Sequence, residues 1–239
     1  MPGVDRLEGV EGLEGVGSGF AATRDGIDTM LRDRGLRRTS PELTGESLLR
    51  GAQASAVLAG SGSSIDDVRR GTGDAIAQAA LRLSVELLGL VPVFSRTPLQ
   101  ALARVHALAA AGSVPDDQVG RPRDADSARV LRDVVSLLDD DRPALLTAAL
   151  IHGELATTRP FGSVDGLVAR AAERLVLVAS GLDAKSLVVP EAGHLALRPA
   201  YESNLRAYAD GGRAGLQAWL LYCAEAYAAG AEASPLRSS

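Results

Sequence analysis

The sequence predicts an all-α fold of about nine or ten helices, and three observations lead to that prediction. Aromatic residues make up only 3% of the chain, so the core must be built from alanine, leucine and valine. Alanine and leucine are strong helix formers, whereas the aromatic residues that favour strands are scarce. Apolar residues recur with helical spacing along most of the chain. Only Lys185 to Val189 could form a strand, so we expect at most a short β-hairpin.

The first half of the chain carries five helix signals. Ser40 and Pro41 are a typical helix start, with a capping serine before a proline at the first helical position. Ser64 precedes Asp66 and Asp67, which are favourable at the positive end of a helix. The helices predicted here are Phe20–Arg34, a second from Ser40 to Leu58, a short one from Ser64, Thr72–Leu88 and Thr97–Ala111.

The second half begins with a loop rich in proline and glycine between Gly112 and Asp126. The helices predicted after it are Asp126–Leu138, Arg142–Thr158, Val164–Gly181, Pro199–Ala209 and Ala214–Ala229. The glycine-rich start predicts a flexible segment over residues 1–18. We therefore divide the chain into that segment, one helical domain over 19–232 and a tail over 233–239.

Composition excludes several classes of function. The net charge of −5 and the few aromatic residues argue against a nucleic-acid binder. A single cysteine, Cys223, allows neither an intrachain disulfide nor a cysteine-based metal cage, which suits a reducing compartment. No signal sequence is recognisable, and the uninterrupted apolar runs are too short to span a bilayer. We expect a cytoplasmic protein that contacts neither membrane nor nucleic acid.

The most informative stretch runs from Ala148 to Arg170, where one helix ends, a Pro/Gly turn follows and a second helix begins. It resembles the Fic family, whose signature HPFxDGNGRxxR lies on such a helix-turn-helix. Laid on that signature, the chain keeps Pro160, Phe161, Gly166 and Arg170. His152 falls where many members carry a non-catalytic histidine.

A second segment strengthens the resemblance. Fic proteins with a built-in inhibitory helix carry a Ser-x-x-x-Glu-Gly core upstream of the signature. Here Ser55, Ala59 and Gly60 stand at the corresponding positions, in the expected order. The two segments frame residues 40–181, which is most of the chain. If the resemblance holds, Ser55 to Ala59 should pack beside the turn that contains Gly162 to Gly166.

The departures from the family pattern concern catalysis. The catalytic histidine of the family falls on Arg159, which cannot accept a proton. The metal-binding acid falls on Ser163, and the asparagine of the phosphate nest falls on Asp165. The first signature arginine falls on Leu167. The inhibitory glutamate, which in the family pairs with the last arginine, falls on Ala59.

The sequence therefore predicts a Fic-like pseudoenzyme that binds a partner protein or a small ligand and requires no cofactor. The alternatives are a transferase in which Arg159 holds or stabilises the substrate, and a structural subunit such as half of a homodimer. The candidate ligand-binding residues are Arg159, Phe161, Gly162, Ser163, Asp165, Gly166 and Arg170.

These residues also have structural interpretations. Ser163 could cap the second helix, Glu173 could hold Arg170, and Arg159 could pair with Asp165 across the turn. The three histidines, His106, His152 and His194, lie on separate elements, so we expect no metal site.

Overall fold

The computed structural model describes residues 7, 9–32, 40–139 and 141–237, and it confirms the all-α prediction. Helices account for 73% of the chain, and the described residues contain no strand. They form twelve α-helices: α1 Val16–Met30, α2 Pro41–Leu58, α3 Ile65–Arg70, α4 Ala75–Leu87, α5 Val91–Phe94, α6 Pro98–Ala110, α7 Ala125–Ser136, α8 Ala144–Thr158, α9 Asp165–Ala179, α10 Pro190–Ala196, α11 Arg198–Ala209 and α12 Arg213–Glu232.

Local sequence accounts for several of these helix starts. The Ser64 side chain accepts a hydrogen bond from the Asp67 N–H, and the Asp67 carboxylate accepts one from the Ser64 N–H, which is a complete capping box. Asp74 and Asp124 cap α4 and α7 in the same way with one side-chain hydrogen bond each. Pro41 begins α2, as its position after Ser40 predicts.

Helices α8 and α9 form the centre of the molecule and pack against each other over their length. α8 is buried on almost every side, which explains why its apolar residues show no single hydrophobic face. α2, α4 and α6 pack together and contact α9, while α10, α11 and α1 surround the long C-terminal helix α12. Trp219 of α12 is fully buried, and its indole N–H donates to the Ala149 carbonyl of α8, 2.9 Å away.

The segment considered as a possible strand is a turn. Asp183 is buried, and its carboxylate accepts hydrogen bonds from the backbone N–H groups of Leu187 and Val188 at 2.9 and 2.7 Å. Ser186 has a φ of 52°, which no strand residue adopts. The side chain of Asp183 thus takes the place of a partner strand. Helix α10, which follows directly, was missed because its seven residues are too few to show helical periodicity.

Both ends of the chain differ from the sequence prediction in their described parts. Leu7, Val10 and Leu13 are buried, and α1 begins at Val16 rather than Phe20, so this part packs on the core instead of being loosely attached. The predicted end of the first helix near Gly35 lies outside the described residues. At the other end, Leu236 is buried in a short 3₁₀ turn.

One stretch within the described ranges, Ala75–Phe94, is long and apolar enough to cross a membrane by length and composition alone. It joins α4, a 3₁₀ turn and α5, which makes it longer than the runs considered in the sequence. Its most apolar 18-residue window has a mean hydropathy of 1.5, and 33% of that window is buried. One such stretch is weak evidence for a membrane span, since core helices pass the same test.

Candidate functional site

The turn between α8 and α9 is tight and conformationally demanding. Arg159, which ends α8, has a φ of 50°, and Val164, which precedes α9, has a φ of 49°. Gly162 has a φ of 76°, and a Cβ there would lie 3.2 Å from Cδ of Arg123. Left-handed conformations are unfavourable for arginine and valine, so the surrounding structure must impose them. Arg123 contributes by donating from its backbone N–H to the Pro160 carbonyl.

Asp165 is the first residue of α9, and its side chain closes this turn. Its Oδ1 accepts a hydrogen bond from the backbone N–H of Phe161 at 2.9 Å, while its buried Oδ2 has no hydrogen-bond partner. Burial raises the pKa of the Asp165 carboxyl, although the Phe161 N–H and the charge of Arg159 act in the opposite direction. The predicted ion pair between Arg159 and Asp165 is wrong, because the carboxylate binds backbone instead.

Ser163 and Phe161 are held by a histidine from α6. Nδ1 of His106 accepts from the Gly120 N–H at 2.9 Å, so the proton of the neutral ring is on Nε2, which donates to Ser163 Oγ at 3.1 Å. The ring stacks on Phe161 with centroids 4.4 Å apart, and burial lowers the pKa of His106. Ser163 is therefore not the cap of α9, which has no side-chain cap.

Arg170 is 2% exposed and points away from its own helix toward α2 and α11. Its Nε donates to Ser55 Oγ at 2.8 Å, its Nη2 to the Ser55 carbonyl at 3.0 Å, and its Nη1 to the Tyr201 hydroxyl at 3.1 Å. Glu173 does not hold it, because that carboxylate faces two histidines. Arginine has five N–H groups, and three are used here, so two remain. Among the described residues no carboxylate forms an ion pair with Arg170.

The two motifs meet in one cavity of about 570 Å³. Its walls come from the end of α2, from α4 and α6, and from the turn before α9. The candidate residues that line it are Ala59, Arg159, Asp165, Gly166 and Arg170. Phe161, Gly162, Ser163, Ser55 and Gly60 stand behind or beside this surface rather than in it. Arg82, which the sequence analysis did not single out, also lines the cavity and donates to the carbonyls of Leu108 and Ala111.

A second polar cluster lies in the core between α8, α9, α10 and α12. Glu173 is its centre: His152 Nδ1 lies 3.0 Å from Oε1, and His194 Nε2 lies 3.1 Å from both carboxylate oxygens. The Tyr227 hydroxyl donates to Oε1 at 2.7 Å. Burial by itself would raise the pKa of Glu173, but the two histidines outweigh it and hold the pKa well below its ordinary value. Burial lowers the pKa of His152.

The cavity can bind an anion but offers little acid–base chemistry. The charged side chains that line it are three arginines and Asp165. Arginine cannot act as a general base. Burial raises the pKa of the Asp165 carboxyl, and its unpaired Oδ2 can accept a hydrogen bond from a ligand.

Comparisons with known proteins support the fold. No family model and no curated protein matches the chain. Among solved structures, the chain is similar to a Fic family protein from Desulfovibrio desulfuricans G20, with a TM-score of 0.71 and 17% sequence identity. The match covers 92% of this chain and 73% of that one. The fold is therefore Fic-like.

Proposed function

We propose that this protein is a Fic-like pseudoenzyme that binds a small anionic ligand and acts as a regulatory module without transferring AMP. The proposal rests on Arg170, a buried arginine that has no carboxylate partner among the described residues. A buried cation is usually paired with a group of opposite charge. Here neutral groups, Ser55 and Tyr201, supply all three of its hydrogen bonds.

A ligand carboxylate or phosphate would supply the missing charge. The planar guanidinium group suits the two oxygens of such an anion, and two N–H groups are free to bind them. Arg159 lies exposed at the same cavity and adds a second positive charge. A ligand of this kind would also meet Asp165, whose Oδ2 has no partner. We therefore expect a compact anion that carries a hydroxyl, amine or similar polar group.

Three features argue against the AMP transfer of the Fic family. Arg159 stands at the position of the family's catalytic histidine and cannot accept a proton. The Ser163 hydroxyl, at the position of the metal-binding acid, is engaged by His106 and is a poor ligand for Mg²⁺. Asp165 places a carboxylate at the phosphate nest, which disfavours a triphosphate.

Calorimetry with the full chain tests the proposal. We expect weak binding or none for ATP with Mg²⁺, and measurable binding for a smaller anion from a panel of mononucleotides, sugar phosphates and hydroxy acids. Ala59→Glu should abolish that binding, because its carboxylate would enter the cavity and pair with Arg170. Ala59→Gln has nearly the same shape without the charge and should bind the anion. Equal affinity of both variants, or micromolar affinity for ATP with Mg²⁺, would contradict the proposal.

The alternative is a transferase in which Arg159 holds or stabilises the substrate, and the backbone of Arg159 favours it. Left-handed conformations of non-glycine residues cluster at functional sites, and Arg159 has one beside the cavity. Arginine can stabilise charge that develops during a reaction. Incubation with labelled ATP or UTP and cell extract separates the two functions, because label transfer would establish the enzyme. Arg159→His alone should not produce AMP transfer, since Ser163 and Asp165 still differ from the family.

A further inference from the structure

We propose that His152, Glu173 and His194 form a buried binding site for one Zn²⁺ ion. The three residues come from α8, α9 and α10 and are fully or almost fully buried. Each offers one ligand atom, and these atoms all lie within 4.8 Å of one another. The site is separate from the anion cavity, so this inference is independent of the proposed function.

The donor set selects the class of ion. Two imidazoles and one carboxylate suit zinc, whereas Mg²⁺ and Ca²⁺ are bound mainly by oxygen. Zinc bonds of about 2.1 Å in tetrahedral geometry separate the ligand atoms by about 3.4 Å. The present separations from Glu173 are 3.0 Å for His152 and 3.1 Å for His194. The two histidine nitrogens are farther apart, within 4.8 Å of each other. They would have to approach by up to about 1.4 Å to reach the tetrahedral separation of about 3.4 Å.

His152 provides a second observation. Its Nδ1 is completely buried and lies 3.0 Å from Glu173 Oε1, but it forms no well-oriented hydrogen bond there. A buried nitrogen without a well-oriented hydrogen bond is costly, and native structures seldom leave one without a reason. A metal ion bound to Nδ1 would supply the missing interaction.

Residues that would orient the metal ligands surround the site. The second nitrogen of each histidine contacts a tyrosine hydroxyl, with His152 Nε2 at 3.0 Å from Tyr201 and His194 Nδ1 at 2.8 Å from Tyr222. Metal-binding histidines are usually oriented by such a contact. A hydroxyl can donate or accept, so it can serve the ring in either tautomer. Tyr227 similarly orients Glu173 through its hydrogen bond to Oε1.

The ion would have a structural role. The three ligands join α8, α9 and α10, and the tyrosines extend the connection to α11 and α12. Because the cluster is enclosed in the core, we expect the metal to enter during folding rather than by exchange with the folded protein.

Elemental analysis tests this inference directly. The full chain is produced in zinc-supplemented medium and purified without a histidine tag or chelator, and its metal content is measured by plasma mass spectrometry. We expect about one zinc ion per chain. His152→Gln and His194→Gln should each lower the occupancy at least tenfold. His106→Gln is the matched control, because it removes the one histidine outside the cluster and should leave the zinc content unchanged.

The wild-type chain decides the test even if a variant fails to fold. It is unfolded, stripped of metal and refolded with one equivalent of Co²⁺, which gives a visible absorption band when bound tetrahedrally. A band that His106→Gln retains supports the site. A wild-type protein that contains no zinc as purified and binds no stoichiometric Zn²⁺ or Co²⁺ on refolding would overturn it.

Discussion

Replacing Ser55 by alanine should destabilise the protein by an amount that its contacts allow us to estimate. Ser55 Oγ accepts from Nε of Arg170 at 2.8 Å, and both residues are buried. Alanine keeps the carbonyl that binds Nη2 but leaves the Nε–H facing a methyl group. Hydrogen bonds to charged groups contribute about 1.5–3 kcal/mol. We therefore expect the free energy of unfolding to fall by about 2 kcal/mol and the melting temperature to fall by roughly 4–8 °C.

The assay is guanidinium denaturation followed by far-ultraviolet circular dichroism. Ser203→Ala is the matched control, because its exposed hydroxyl bonds only to the Ala200 carbonyl one turn earlier. Its effect should stay within about 0.5 kcal/mol. Ser55→Thr keeps a hydroxyl and should recover part of the loss. If Ser55→Ala unfolds at the wild-type denaturant concentration, another group satisfies Arg170 and the reasoning on its environment is refuted.

Three further variants test the core and the turn. Gly193→Ala should cost about 3 kcal/mol in a thermal melt, because its Cβ would lie 1.9 Å from the Ala226 carbonyl oxygen, part of the α12 backbone. Asp165→Asn should stabilise the protein at pH 7. Because burial raises the pKa of Asp165 in the folded state, the free energy of unfolding of the wild type falls as the pH rises through that pKa, and asparagine carries no such charge. Denaturation at several pH values should show the difference disappear below about pH 4, where the wild-type side chain is protonated in both states. Tyr201→Phe should lower the free energy of unfolding by about 2 kcal/mol, measured by denaturant titration, because Arg170 Nη1 loses its acceptor.

Local signals in the sequence predicted the fold well. Composition excluded a large sheet, and the serine–proline and serine–aspartate starts of α2 and α3 depend only on neighbouring residues. Contact between the Ser55 segment and the segment that contains Arg170 was expected because both segments that resemble the Fic family occur in the family's order. The ligand-binding roles of the residues at that contact stay a prediction.

Side-chain pairing was much less predictable. The tight turn between Arg159 and Asp165 suggested an ion pair, yet Asp165 binds the backbone N–H of Phe161, four residues earlier. A backbone donor inside a tight turn is fixed in place, whereas the exposed Arg159 must lose side-chain freedom to pair. The approach of His194 to Glu173 depends on how α10 packs against α9, which no local pattern encodes.

Arg170 has a structural role in addition to the proposed ligand-binding role. Through Tyr201 it joins a continuous chain of buried contacts that runs to His152 and Glu173, so removing the arginine would disturb the core whether or not the cavity is used. What a purely structural role does not explain is the incomplete use of its donors. A core arginine such as Arg174 has a carboxylate partner, Glu191, together with two serine hydroxyls. Arg170 has no such carboxylate and lines a cavity that also contains an unsatisfied acid. That contrast, within one helix of the same protein, is the physical reason to look for an anion in this site.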